Sequence, residues 1–146
     1  MSAFLVFPLM TISFVAYAII TVTGVGDIVT STGTTYWHEV PIAELVLYSG
    51  DKWPVTWGVL FLVISMGLLF VELVRATKIG NESVFNHVLS FLVFTAAAFA
   101  FVLVEGFGNT TFFVFLLMLF LDPITGIIVT TATSRRDLAV TDTIAR

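Results

Sequence analysis

The chain has 146 residues, of which 58% are hydrophobic and 11% charged, and its mean hydropathy is +1.07. A soluble domain carries about 25% charged residues, so most of this polymer calls for a bilayer rather than water. The formal charge of −4 includes no basic stripe, which excludes a nucleic-acid footprint. The absence of cysteine excludes thiol catalysis, thiolate metal sites and iron–sulfur clusters.

A helix that crosses about 30 Å of hydrocarbon needs roughly 20 apolar residues. The first qualifying stretch is residues 4–23, which carry no charge. Ala16-Tyr17-Ala18 has the form of a signal-peptidase site, but Met1-Ser2-Ala3 lacks the positive start of a signal peptide. Retention of this span is the expectation.

Residues 24–54 form the first loop, too long for a connection without structure of its own. Ile28 to Thr35 is rich in Thr and Val, with Gly33 in its midst. Ala43 to Tyr48 alternates polar and apolar residues before Ser49-Gly50-Asp51, and Lys52 to Trp57 follows at hairpin distance. β-Branched and aromatic residues around a Ser-Gly turn predict a small antiparallel β element. Tyr36, Trp37, Tyr48, Trp53 and Trp57 are expected at headgroup level, where rings with one polar edge are favoured. With His38 they offer a contact for lipid or a partner; helix-end anchoring is the simpler alternative.

The remaining spans are residues 55–74, 84–104 and 111–133. Lys and Arg in short loops resist translocation. Arg75 and Lys78 lie between the second and third spans, and Arg135, Arg136 and Arg146 follow the fourth. The first loop holds Asp27, Glu39, Glu44 and Asp51 against Lys52 alone. Both termini are therefore expected on the cytoplasmic side. The fold class expected is an all-α membrane protein, a four-transmembrane-helix bundle with a small β element in its first non-cytoplasmic loop, forming one domain over residues 1–146.

Ionisable groups at membrane depth are costly and point to function. Asp122 is the deepest, beside Pro123 in the fourth span. It has three readings: a cap for amides that Pro123 would free, a site for a proton or cation, or a contact with a partner subunit. Glu72 lies one turn before Arg75, and Asn86-His87 opens the third span, so these groups share one depth. A Glu72–His87 pair is expected, with Asn86 or Arg75 as third member, clamping the helical hairpin. His38 lies on the opposite side and cannot join them, so no metal or cofactor is expected. Glu105, Gly106, Gly108 and Asn109 form a tight outer turn, and Ala96, Ala97, Ala98 and Ala100 give the third span a small-residue surface for helix packing.

The tract Val84-Phe85-Asn86-His87-Val88-Leu89-Ser90, the segment Leu121-Asp122-Pro123-Ile124-Thr125-Gly126 and the end Ser134-Arg135-Arg136-Asp137 resemble those of small four-span inner-membrane proteins of alphaproteobacteria that carry no assigned function. That resemblance implies fold and membrane but no mechanism. The topology is also similar to that of claudin-type tetraspans, whose paired first-loop cysteines are missing here.

Three functional expectations follow. A non-enzymatic accessory or scaffold subunit fits the short loops, few ionisable groups and alanine surface; its partners would be membrane lipids and another membrane protein or a second copy. A small proton- or ion-coupled transporter or channel component would work through Asp122. An enzyme acting on lipid or quinone through Glu72 and His87 lacks a nucleophile with a matched base and a phosphate-cradling loop.

Overall fold

The computed structural model describes residues 8–76 and 81–144, with side chains omitted at 76, 81–84 and 129–144. The part of the first expected span before residue 8, together with Lys78 and Arg146, lies outside the described residues.

The described residues form four helices and two β-hairpins: α1 (Met10–Thr23), β1 (Ile28–Thr30), β2 (Gly33–Thr35), a 3-10 turn at Trp37–Glu39, β3 (Pro41–Val46), β4 (Lys52–Thr56), α2 (Trp57–Ala76), α3 (Asn81–Leu103) and α4 (Thr110–Ile144). Three of the helices contain apolar segments long enough to cross a membrane: Trp57–Arg75, Phe85–Leu103 and Thr110–Ile128. At 14 residues α1 is apolar but only about 21 Å long, short of the hydrocarbon thickness. α4 is the central helix: 39% of its apolar segment is covered by the rest of the chain, against 22% for α2 and for α3.

α4 is helical through Pro123 and continues past Ser134-Arg135-Arg136 to Ile144. Charged residues end the hydrophobic run but have good helix propensity, so they do not end the helix.

The first loop carries the expected β structure as two hairpins. β1 pairs with β2 around Ser31-Thr32, with Val29 opposite Thr34. β3 pairs with β4, setting Leu45 opposite Trp53 and Val46 opposite Lys52. Its turn closes through the Gly50 amide on the Leu47 carbonyl at 2.9 Å. Gly50 has φ +89°, a conformation that favours glycine. The Lys52–Glu44 ion pair at 3.0 Å is exposed and adds little.

An aromatic cluster at the hairpin end ties this loop to the helices. Tyr17 of α1 is fully buried, its ring 5.1 Å from Trp37, 5.2 Å from Phe61, 5.6 Å from Phe107 and 4.7 Å from Phe112. Asn109 caps α4: its Oδ1 accepts the Phe112 amide at 2.9 Å, while its Nδ2 donates to the Tyr17 hydroxyl at 2.8 Å. Trp37 donates from Nε1 to Thr21 Oγ1 at 3.1 Å, and its backbone amide donates to Asp27 Oδ1 at 2.7 Å. Gly58 lets α2 approach this assembly closely, since a Cβ there would lie 2.6 Å from the His38 carbonyl oxygen.

Candidate functional site

The expected site residues divide between the two ends of the bundle. At the hairpin end, Tyr36, Tyr48, Trp53 and Trp57 are exposed, whereas Trp37 is only 5% exposed. Trp37 thus differs from the other four expected interface aromatics in its burial. Thr21 and Asp27 satisfy its two N–H groups, and Tyr17 and Phe61 cover its ring, so protein takes the place of the headgroups.

His38 is also buried, its ring 5.9 Å from that of Tyr36 and 5.8 Å from that of Trp37. Burial holds its imidazole below the usual histidine range, against the opposing pull of Glu39 and Asp27. Beside it lies an open groove of about 510 Å³, whose lining includes Tyr36, Glu39, Glu105 and Asn109.

The second group lies at the far end of the helices. Helical rise places Glu72 about 22 Å along α2 from Trp57, Asp122 about 18 Å along α4 from Thr110, and Ser90 and His87 about 20 and 24 Å along α3 from Leu103. Met10 lies about 20 Å along α1 from Thr23. Four helices therefore bring polar groups to one level. Glu72 and Asp122 are each 1% exposed there, and Asn86, His87 and Ser90 are also buried.

Glu72 serves a helix end. The first amides of a helix have no acceptor within it, and an apolar setting offers no water to supply one. Pro8 has no N–H. Thr11 and Ile12 donate to the carbonyls of Pro8 and Leu9 at 3.1 and 3.0 Å. The two remaining amides go to the Glu72 carboxylate, Leu9 to Oε1 at 3.2 Å and Met10 to Oε2 at 3.1 Å. The negative charge also opposes the positive end of the α1 dipole. Asn86 adds a third donor, its Nδ2 lying 3.3 Å from Oε1.

The expected Glu72–His87 clamp is therefore replaced by a Glu72–Asn86 hydrogen bond. His87 turns instead to α4, packing on Gly126 within electrostatic reach of Asp122. A methyl group at Gly126 would overlap the His87 imidazole. Gly126→Ala is expected to displace His87 and cost about 1–3 kcal/mol, as overpacking does; a melting curve matching that of the parent would contradict this packing.

Asp122 points into the bundle. It does not cap α4: among the described residues neither carboxyl oxygen accepts a hydrogen bond. The Ser90 hydroxyl donates to the Asn86 carbonyl at 3.1 Å and also lies within hydrogen-bonding influence of Asp122. Glu72 and Asp122 feel each other's charge across the interior. Among the described residues no three His, Asp or Glu side chains converge as metal ligands.

The sequence reading missed three structural roles: Glu72 as the cap of α1, Asn109 as the cap of α4, and Gly126 as the seat of His87. Asn109 before Thr110-Thr111 and an apolar run carried a readable helix-start signal; the other two depend on tertiary packing. Comparisons of the chain with protein-family models, with curated proteins and with solved structures return no match.

Proposed function

We propose that this chain is a non-enzymatic, four-span accessory or scaffold subunit of a bacterial inner-membrane complex, with both termini in the cytoplasm. The observation that carries this reading is how little of α2 and α3 the chain itself covers. Leu92, Ala96, Phe99 and Leu103 recur on one uncovered face of α3, with a small residue amid large ones. Such a face accepts a neighbouring helix at close range. The clustering of basic residues around the α2–α3 connection and after the fourth apolar segment supports the orientation. Purification in mild detergent followed by mass determination is the test: a homo-oligomer or a stoichiometric companion polypeptide is expected, and a bare monomer contradicts the proposal.

The burial of Asp122 favours a second reading, in which the chain works as a small proton- or ion-coupled transporter or channel component. A carboxyl group with no donor inside an apolar bundle is costly to retain without a use. Flux into proteoliposomes decides it: Asp122→Asn should abolish the flux, and a parent protein without flux ends this reading.

A further inference from the structure

We infer that the interior carboxyl pair Glu72 and Asp122 holds one exchangeable monovalent cation, a proton or a sodium ion, seated on Asp122 between α3 and α4. This deepens the ion-coupled reading and rests on it.

The inference follows from an imbalance of donors and acceptors. Glu72 receives three donors: the Leu9 and Met10 amides and Asn86 Nδ2. Asp122, equally buried, receives none among the described residues, and the Asn86 side-chain oxygen is likewise buried without a donor. The Ser90 hydroxyl, which donates to the Asn86 carbonyl at 3.1 Å, lies beside Asp122 and can also turn to it. Three buried oxygen atoms thus lie without a donor in hydrogen-bond geometry, in an interior that holds two carboxyl groups. Such a site selects a positive charge and rejects an anion or an apolar ligand.

The surrounding groups define where that charge sits. α2 contributes Glu72 and, one turn on, Arg75; α3 contributes His87; α1 contributes amides but no charged side chain. The α1 dipole and Asn86 already compensate Glu72, which leaves Asp122 as the seat. Binding there would relieve the repulsion that Glu72 feels across the interior, letting it hold the start of α1 more firmly. Occupancy of the site is in this way linked to the docking of α1.

The full-length protein in lipid nanodiscs is melted in sodium chloride and in choline chloride of equal ionic strength, each from mildly acid to mildly alkaline pH. The wild type is expected to gain stability with acid if the cation is a proton, or with sodium in place of choline if it is sodium. Asp122→Asn, which removes the charge and keeps the shape, should lose that response and melt at or above the neutral-pH wild type. If this variant does not fold, infrared spectra of wild type carrying ¹³C-carboxyl aspartate read the same event, as a buried carboxyl band changing with pH or sodium. A wild type indifferent to both, or an Asp122→Asn variant that responds as fully as its parent, overturns the inference. Cation-dependent stability without flux in liposomes upholds the site and retires only the transport reading.

Discussion

Glu72→Ala is expected to lower the thermal midpoint of the purified protein by roughly 10 °C or more, following the usual relation between stability and melting temperature. Three donors lose their acceptor at once: the amides of Leu9 and Met10 and the side chain of Asn86. A buried donor left without a partner costs about 1–3 kcal/mol, and three are stranded together. Glu72→Gln, which keeps one acceptor oxygen, should fall between alanine and wild type. Hydrogen exchange adds a local readout, since the first amides of α1 should lose protection before those of α4. An alanine variant that melts with its parent, with unchanged exchange at Leu9 and Met10, would show that the carboxylate does not hold α1.

The second large effect is expected at Tyr17. Truncation to alanine removes a fully buried ring that touches Trp37, Phe61, Phe107 and Phe112. Emptying such a site costs about 3–5 kcal/mol, because the neighbours collapse into it only in part. Tyr17→Phe keeps the ring and loses the hydroxyl with its bonds to Asn109 and Thr21, a change of about 1 kcal/mol per bond. The ratio of the two effects is the diagnostic: comparable losses would mean that the Asn109 bond, not the ring packing, joins α1 to the α4 cap. Trp37 fluorescence should shift to longer wavelength in the alanine variant alone, as water reaches the exposed indole.

These two positions also mark what the sequence could and could not reveal. The three long apolar helices were legible because an apolar run of about twenty residues has few other stable settings. The second hairpin was legible because Ser49-Gly50 interrupts an alternating segment. The start of α1 at Met10 was not legible, since the residues before it are equally apolar and its cap, Glu72, lies 62 positions away.

Glu72, Asn86 and His87 share one level of the bundle as the sequence grouped them, and the geometry of one helix explains how Asn86 and His87 part. Asn86 and His87 are adjacent in sequence, so they point about 100° apart around α3. One can face α2 while the other faces α4, and hydropathy says nothing of which. Asn86 takes Glu72, and His87 takes Gly126 and Asp122. Trp37 stands apart from the other aromatics by its burial. Aromatic content marks a membrane interface only in aggregate, whereas Asp27 and Thr21 claim this particular indole residue for the fold.

The central claim is that one membrane separates the hairpins from the far end of α4, with Asp122 sealed inside the bundle between them. The chain contains no cysteine, so single introduced thiols can be read without background. Ser49→Cys, Asp137→Cys and Asp122→Cys are labelled with a membrane-impermeant maleimide, first in intact spheroplasts and then after permeabilisation. Labelling of the first from outside, of the second only once the membrane is opened, and of the third only on denaturation is the predicted result. Equal reactivity at positions 49 and 137 in intact spheroplasts, or ready labelling at 122 in the folded protein, would contradict it.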